Sequence, residues 1–195
     1  MQALLARVIA PILLGAAGTL ALAYGAGASP PPAVLTGASF VAFYGLLTLA
    51  PWLTLRLGVR WWILSFVGSV AGFFLGLLAA TVVDRFLACL RPECAPPVPP
   101  PFVVLFGVNM AFMGLAQALA LNGATARFVW IFGTLLAGAA LGLGIQLSTG
   151  QFGLSPLNLY YGPAMVGGVG WGIVTAVTLL VLMRTRATGA TPRET

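Results

Sequence analysis

Long apolar stretches without a charged residue lie between widely spaced arginines along this chain. Divided further by turn-forming residues, the sequence contains six apolar segments that reach the roughly 20 residues a helix needs to cross about 30 Å of hydrocarbon. These predicted spans cover residues 4–24, 34–55, 61–83, 102–122, 128–148 and 164–183. The gaps between them are short and contain turn-forming residues. The pattern therefore predicts an all-α fold, a polytopic helical bundle with six transmembrane helices.

The six predicted spans use most of the chain and leave no room for a separate soluble domain. We therefore predict one transmembrane bundle over residues 1–183 and a disordered cytoplasmic tail over residues 184–195. The first segment has a second interpretation, because Arg7, an apolar run and small residues up to about residue 24 also fit a cleaved signal peptide. We favour a retained helix, since the apolar run is long for a signal core.

Small residues recur every fourth position in three of the predicted spans, the pattern of a glycine zipper. The glycines concerned are Gly68, Gly72, Gly76, Gly138, Gly142, Gly168 and Gly172. Positions four apart lie on one face of a helix, and small side chains there let a neighbouring backbone approach closely. The ladders predict either packing within the chain, which we favour, or an oligomer interface.

A weak direct hairpin repeat accompanies the ladders. Spans two and three contain FYGL and later GFFLG, whereas spans four and five contain FMGL and later GAALG. Each copy matches over only a few residues, and chance similarity between glycine-rich helices explains the match equally well. The short glycine-rich hairpins resemble those of small bacterial multispanning proteins, which implies a bacterial inner membrane and no particular activity.

Composition agrees with a lipid environment. Of the 195 residues, 60% are apolar and 6% are charged, and the mean hydropathy is +1.04. A soluble domain carries about 25% charged residues, so this chain has too few to cover a surface in water. All nine basic residues are arginines scattered at helix ends. They form no contiguous patch for a phosphate backbone, so we expect no nucleic-acid partner.

Arginine placement predicts the orientation in the cell membrane. With the N-terminus inside, the cytoplasmic side holds Arg7, Arg56, Arg60, Arg127, Arg184, Arg186 and Arg193, which is seven of the nine. We therefore predict a multi-pass protein with both termini cytoplasmic. Trp52, Trp61, Trp62 and Trp130 fall at the same predicted interface, where amphipathic rings commonly lie at headgroup depth.

Apart from Arg7, at the start of the first, no predicted span contains a charged residue, and the chain contains no histidine. Proton relays, ion coupling and metal catalysis depend on such residues at membrane depth. We therefore expect no enzyme, no catalytic residue and no metal site, and the sequence requires no cofactor. A lipid-interacting enzyme that uses Asp84 or Glu93 is the weakest alternative.

The polar side chains at membrane depth are neutral. Asn109 and Gln117 lie eight residues apart on one broad face of span four, and Tyr44 lies near the middle of span two. They predict either a site that contacts a neutral solute or cofactor, or hydrogen bonds between helices, which we favour. Cys89 and Cys94 lie in a predicted outer loop, where disulfides persist, and we expect them to be paired.

These observations favour a non-catalytic integral membrane subunit or scaffold that packs against a larger membrane protein complex. Its expected partners are the lipid bilayer and either another integral membrane protein or further copies of the chain. The alternative is a channel or facilitator for a small neutral or lipophilic solute, because neutral solutes require no buried charge. The two functions differ in whether polar groups of several helices converge on one wet cavity.

Overall fold

The computed structural model describes the backbone of residues 2–27, 33–89, 102–151 and 156–188. It describes the side chains of residues 8–21, 38, 39, 41–86, 102–146 and 165–185. This part of the chain forms six α-helices and no strand. They are α1 (Gln2–Gly27), α2 (Ala33–Leu55), α3 (Val59–Cys89), α4 (Phe102–Ala118), α5 (Ala124–Gln151) and α6 (Pro156–Thr188). The all-α fold class is therefore confirmed.

Three of the helices are long and apolar enough to cross a membrane by length and composition. Their spans are Val59–Phe86 in α3, Ala124–Gln146 in α5 and Met165–Thr185 in α6. The other three contain shorter apolar segments within the described residues, Val8–Ala21, Val41–Leu55 and Phe102–Ala118. The fold is thus compatible with a membrane protein, and the full count of six spans stays a prediction.

The helices extend beyond or stop short of the predicted spans at several places. Helix α3 continues to Cys89, and α6 runs from Pro156 to Thr188, through the first residues of the predicted tail. Helix α4 ends at Ala118 and not at residue 122. There the amides of Leu119, Ala120 and Leu121 bond to carbonyls three residues earlier, which tightens and ends the helix.

The helices pack side by side in the order α2, α1, α6, α5, α4, α3. Helices α2 and α3 follow each other in sequence but make few contacts, whereas the next hairpin, α4 and α5, packs along its length. The two hairpins of the suggested repeat therefore differ in packing, and the repeat stays a prediction. The weak contact leaves a lateral gap between α2 and α3.

Glycines set the close approach of neighbouring helices. A Cβ atom on Gly68 would lie 2.8 Å from Met113 Cα, and one on Gly76 would lie 2.5 Å from Leu105 O, so α3 fits closely against α4. Gly138 and Gly142 of α5 face the backbone of α4 in the same way. All of these contacts join helices of this chain, and small residues permit the same close approach between membrane helices.

The glycines of α6 make the corresponding contact with α1. A Cβ atom on Gly168 would meet the Gly15 backbone, and one on Gly172 would meet the backbone around Ile12. The described members of all three small-residue ladders are therefore used in packing within the chain. Gly72 completes the set, since it lies against the Asn109 backbone in the middle of the α3–α4 contact.

One end of the bundle holds the α2–α3 turn and the α4–α5 turn, and we call it the turn end. An apolar cluster brings both turns together with α6: Leu55, Trp61, Leu121, Ala126, Trp130, Leu179 and Leu182. Trp61 is 0% and Trp130 is 2% exposed, with ring centroids 5.3 Å apart. These two indoles fill the core between the helices at this end and do not face outward, whereas their depth relative to a membrane stays a prediction.

The α2–α3 turn is closed by a residue with left-handed backbone geometry. Arg56 has a φ of 51°, and the amide of Leu57 donates to the Trp52 carbonyl at 3.3 Å. This is the Schellman arrangement of a helix C-terminus, at the position that glycine usually occupies. The tight turn keeps the ends of α2 and α3 close while the helices diverge above it.

Candidate functional site

The middle of the bundle contains a buried polar contact between α2 and α4. Asn109 is 0% exposed and Tyr44 is 6% exposed. The Nδ2 group of Asn109 donates to the hydroxyl oxygen of Tyr44 at 2.6 Å. Phe43 contacts Tyr44 edge-on and also approaches Phe106 of α4, so aromatic packing holds the pair in place. Two of the three predicted polar site residues are thus brought together.

Gln117 belongs to a separate network that links three helices. Its Nε2 group donates to Ser65 Oγ of α3 at 2.7 Å, and its Oε1 accepts from Trp130 Nε1 of α5 at 3.0 Å. An indole N–H can only donate, so the chemistry of Trp130 fixes which end of the amide faces it. Ser65 in turn donates to the Trp61 carbonyl at 2.7 Å. The network joins α3, α4 and α5 without using solvent.

The Asn109 side chain is incompletely paired. Its Oδ1 atom is buried and has no hydrogen-bond partner among the described residues. A tyrosine hydroxyl can accept or donate, so Tyr44 can pair with either end of the amide, but with only one of them. An unpaired buried acceptor costs about 1–3 kcal/mol. Hydrogen bonding among the central polar groups is therefore incomplete at Asn109.

A lateral cleft lies between α2 and α3, beside these networks. Its volume is about 110 Å³, and its lining consists of Val41, Tyr44, Gly45, Thr48, Trp62, Ser65, Phe66 and Ser69. Val41 and Phe66 are about 60% exposed and form its rim. A Cβ atom on Gly45 would meet nothing within 4 Å, so the space beside this glycine is open. Apart from its hydroxyls, the cleft is apolar.

A second cavity lies at the turn end, next to the first. It has a volume of about 290 Å³ and is lined by Trp52, Leu53, Arg56 and Leu57. The rings of Trp52 and Trp62 meet edge-on with centroids 5.8 Å apart, and this pair separates the second cavity from the cleft. The Nε1 group of Trp52 is buried and has no partner among the described residues.

The hydroxyls of the cleft are mostly bonded to their own helices. Thr48 Oγ1 donates to the Tyr44 carbonyl at 2.9 Å, and Ser69 Oγ donates to the Phe66 carbonyl at 2.9 Å. Such bonds to the preceding turn satisfy hydroxyls in an apolar setting. Within the described part of the chain, no three His, Cys, Asp or Glu side chains come together to hold a metal ion. The site can bind neutral or apolar groups through packing and hydrogen bonds.

The chain was compared with protein families, curated proteins and solved structures. None matches. The function must therefore be argued from the geometry of the two cavities, the polar networks and the outer surface of the bundle.

Sequence reasoning identified part of this arrangement. Asn109, Gln117 and Tyr44 are central, but they form two networks, because eight residues along α4 separate the amides by about 12 Å. It missed Ser65 and Trp130 as partners of Gln117. A hydroxyl stripe at Ser65 and Ser69, four apart on α3, is the signal that could have indicated the cleft.

The predicted disulfide lies outside the described residues. Cys89 is the last residue of α3, but its side chain is not described, and Cys94 belongs to the segment 90–101. The pairing of the two cysteines therefore stays a prediction. The same holds for the interpretation of residues 1–24 as a retained helix or a signal peptide.

Proposed function

We propose that this chain is a non-catalytic integral membrane subunit that packs against a helix of a larger membrane protein complex. The observation that carries the proposal is the edge position of α3. Only 28% of an 18-residue apolar stretch within the Val59–Phe86 span is buried in the bundle, against 50% of such a stretch within the Met165–Thr185 span of α6. Helix α3 packs along its length on α4, it meets the other helices mainly near the turn end, and its outer side is uncovered.

The uncovered side of α3 carries large apolar residues at helical spacing, which we call the α3 stripe. Its members are Ile63, Val67, Phe74, Leu78 and Val82, each between 57% and 67% exposed. Spacings of four and seven residues keep these side chains on one face. A partner helix packs against such a row by fitting its own ridges between the side chains. The glycine face of α3 is already used against α4, so the stripe is the surface left for a partner.

The interior supports a structural role. The amide of Gln117 is paired at both ends, the Nδ2 group of Asn109 is paired with Tyr44, and both residues are 0% exposed. Groups that are bonded to one another lower no barrier for a passing solute, but they hold helices in a fixed register. A fixed bundle presents the α3 stripe as a rigid surface, which reduces the entropic cost of binding a partner.

Photo-cross-linking tests the proposal in native membranes. A photoactivatable phenylalanine analogue at Phe74, which is 67% exposed on α3, is compared with one at Phe132, which is 52% exposed on α5. We expect a protein cross-link from position 74 and only lipid adducts from position 132. Cross-links only to lipid at both positions, or to a second copy of this chain, contradict the proposal. Gentle-detergent purification with native mass spectrometry then gives the stoichiometry.

The proposed orientation is six spans in the cell membrane with both termini in the cytoplasm. Arg56, Arg60 and Arg127 lie in or beside the two turns at one end of the bundle, and Arg184 follows the α6 residues of the same apolar cluster. An excess of arginine in short loops favours the cytoplasmic side. Reporter fusions after residues 58 and 123 should both show a cytoplasmic location, and an external location of either contradicts this topology.

The alternative function, a facilitator for a neutral solute, needs polar groups that line a wet path. The polar side chains of α2, α3, α4 and α5 do converge on the bundle centre, which favours it in part. Uptake of small neutral solutes by reconstituted liposomes, reduced in a Gln117→Leu variant, would support this alternative. Absence of any uptake leaves the structural role as the better proposal.

A further inference from the structure

We propose that the gap between α2 and α3 is a binding site for one anionic phospholipid. Part of one acyl chain lies in the lateral cleft, and the phosphate lies at the turn end beside Arg56 and Arg60. This inference rests on the proposed membrane location, with the turn end at the membrane surface. It does not depend on a protein partner for the α3 stripe.

The shape of the cleft favours a slender apolar occupant. Its volume of about 110 Å³ is smaller than the roughly 150 Å³ of an apolar cavity that admits benzene. A helix with its side chains is about 10–12 Å wide and cannot enter such a space. From Val41 to Thr48 the cleft follows α2 for about 10 Å. Part of a hydrocarbon chain can lie along this length, and it can enter from the side.

The headgroup must supply the selectivity. A lipid tail leaves one apolar environment for another when it enters the cleft, so the hydrophobic effect contributes little. The charges at the turn end favour a negative group. Arg56 and Arg60 are both exposed, and the segment from Trp52 to Trp62 contains no acidic residue. The next acid along α3, Asp84, lies about 36 Å from Arg60 along the helix.

One indole N–H beside the second cavity lacks an acceptor. The buried Nε1 group of Trp52 has no partner among the described residues, and Trp52 lines the cavity that also contains Arg56. The ester and phosphate oxygens of a phospholipid are acceptors, and they occur at the depth where chain and headgroup meet. The Trp52–Trp62 pair lies between the cleft and the arginine cavity, so it corresponds to this depth.

The position of Arg56 gives a further indication. Its φ of 51° is the geometry that glycine adopts at least cost, yet the residue there is an arginine. Gly58, which follows two residues later, lies in open space and does not have this geometry. A strained backbone position is an observation from which a functional role can be inferred. Here the role is to place a guanidinium beside the Trp52 cavity.

Native mass spectrometry of the full chain, released from nanodiscs, tests the site. The nanodiscs contain phosphatidylglycerol and phosphatidylcholine in equal amounts. We expect one retained phosphatidylglycerol per chain, preferred over phosphatidylcholine by up to about 25-fold, since each arginine near the surface contributes roughly a fivefold preference for an anionic lipid. Equal retention of the two lipids by the unmodified chain overturns the proposal.

Two pairs of variants separate chain binding from headgroup binding. Gly45→Leu fills the cleft and should abolish retention of both lipids, whereas Ala71→Leu on the outer face of α3 should not. Arg56→Gln with Arg60→Gln should remove the preference, whereas Arg85→Gln, at the far end of α3, should preserve it. Unchanged retention in Gly45→Leu, or an unchanged preference in the double arginine variant, overturns the proposal.

Two controls complete the experiment. If the Gly45→Leu variant does not fold, Val41→Phe at the exposed rim of the cleft takes its place, and we expect the same loss of lipid retention. Glycerol 1-phosphate in excess should not displace the lipid, because it lacks the acyl chain. Complete displacement would identify a site for free phosphate only and overturn the proposal. If position 74 gives no protein cross-link while lipid retention is intact, the proposed protein partner is contradicted and the proposed lipid site is not.

Discussion

The hydrogen bond between Gln117 and Trp130 allows a quantitative test of how the buried network stabilises the bundle. Substitution of Gln117 by leucine keeps a similar size but leaves the Trp130 N–H buried without its acceptor. Ser65 stays paired, since it donates to the Trp61 carbonyl and loses only a donor directed at it. The perturbation is therefore concentrated on one indole group.

The magnitude follows from the cost of an unpaired donor, about 1–3 kcal/mol. Bonds between membrane helices measured by double-mutant cycles are weaker, on average about 0.6 and at most about 1.7 kcal/mol. We expect Gln117→Leu to cost about 1–2 kcal/mol. Combined with Trp130→Phe, which removes the indole N–H, it should cost about 1 kcal/mol less than the sum of the two single variants.

The free energy of unfolding is measured by titration with sodium dodecyl sulfate in mixed micelles and followed by far-ultraviolet circular dichroism. This signal does not depend on the tryptophan that is removed. The control cycle pairs Trp130→Phe with Asn109→Leu, which is about 12 Å from Gln117 along α4 and has no described hydrogen bond to this network. We expect the control pair to be additive within about 0.5 kcal/mol.

One result would refute the reasoning. If Gln117→Leu costs the same in the Trp130→Phe variant as in the unmodified chain, the two side chains are not coupled. The hydrogen bond between them then contributes nothing to stability, and the network does not fix the register of α4 against α5.

Two further predictions concern backbone geometry. Gly76→Ala should destabilise the bundle by about 1–3 kcal/mol, because its Cβ would meet the Leu105 carbonyl, whereas Gly45→Ala, in open space, should stabilise it by up to about 1 kcal/mol. Equal effects in a thermal melt in detergent would contradict this contrast. Arg56→Gly should raise stability by about 1 kcal/mol, since it relieves a left-handed non-glycine residue, and a lower melting temperature would contradict the assigned backbone geometry.

The helices and the character of their contacts followed from the sequence because both are local or periodic properties. Apolar runs predict helices, and glycines four apart indicate where two backbones approach. The partners of Gln117 could not be predicted, because Ser65 lies 52 residues away and its alignment depends on the rotation of α3 against α4. The burial of Trp61 and Trp130 was missed for a similar reason, since position near a helix end does not tell which side of the helix faces the core.

The lateral cleft was also beyond sequence reasoning. It exists because α2 packs on α1 and reaches the centre through Phe43 and Tyr44, while α3 packs on α4. A short connection normally predicts that two consecutive helices are packed neighbours. Here the turn around Arg56 joins α2 and α3, which are the first and last helices in the packing order. The gap between them is revealed only by that complete order.

The packing of α1 on α6 has a consequence for biosynthesis. Helices α3, α4 and α5 each pack on the next one in sequence and can associate as they emerge from the ribosome. The face of α1 that holds Gly15, in contrast, receives its neighbour, Gly168, only after the sixth helix is made. Contacts between such distant segments form late and slowly. The α1–α2 pair must therefore wait in the membrane for nearly the whole chain, and a translation product that stops before α6 would leave its glycine face open to chaperones and proteases.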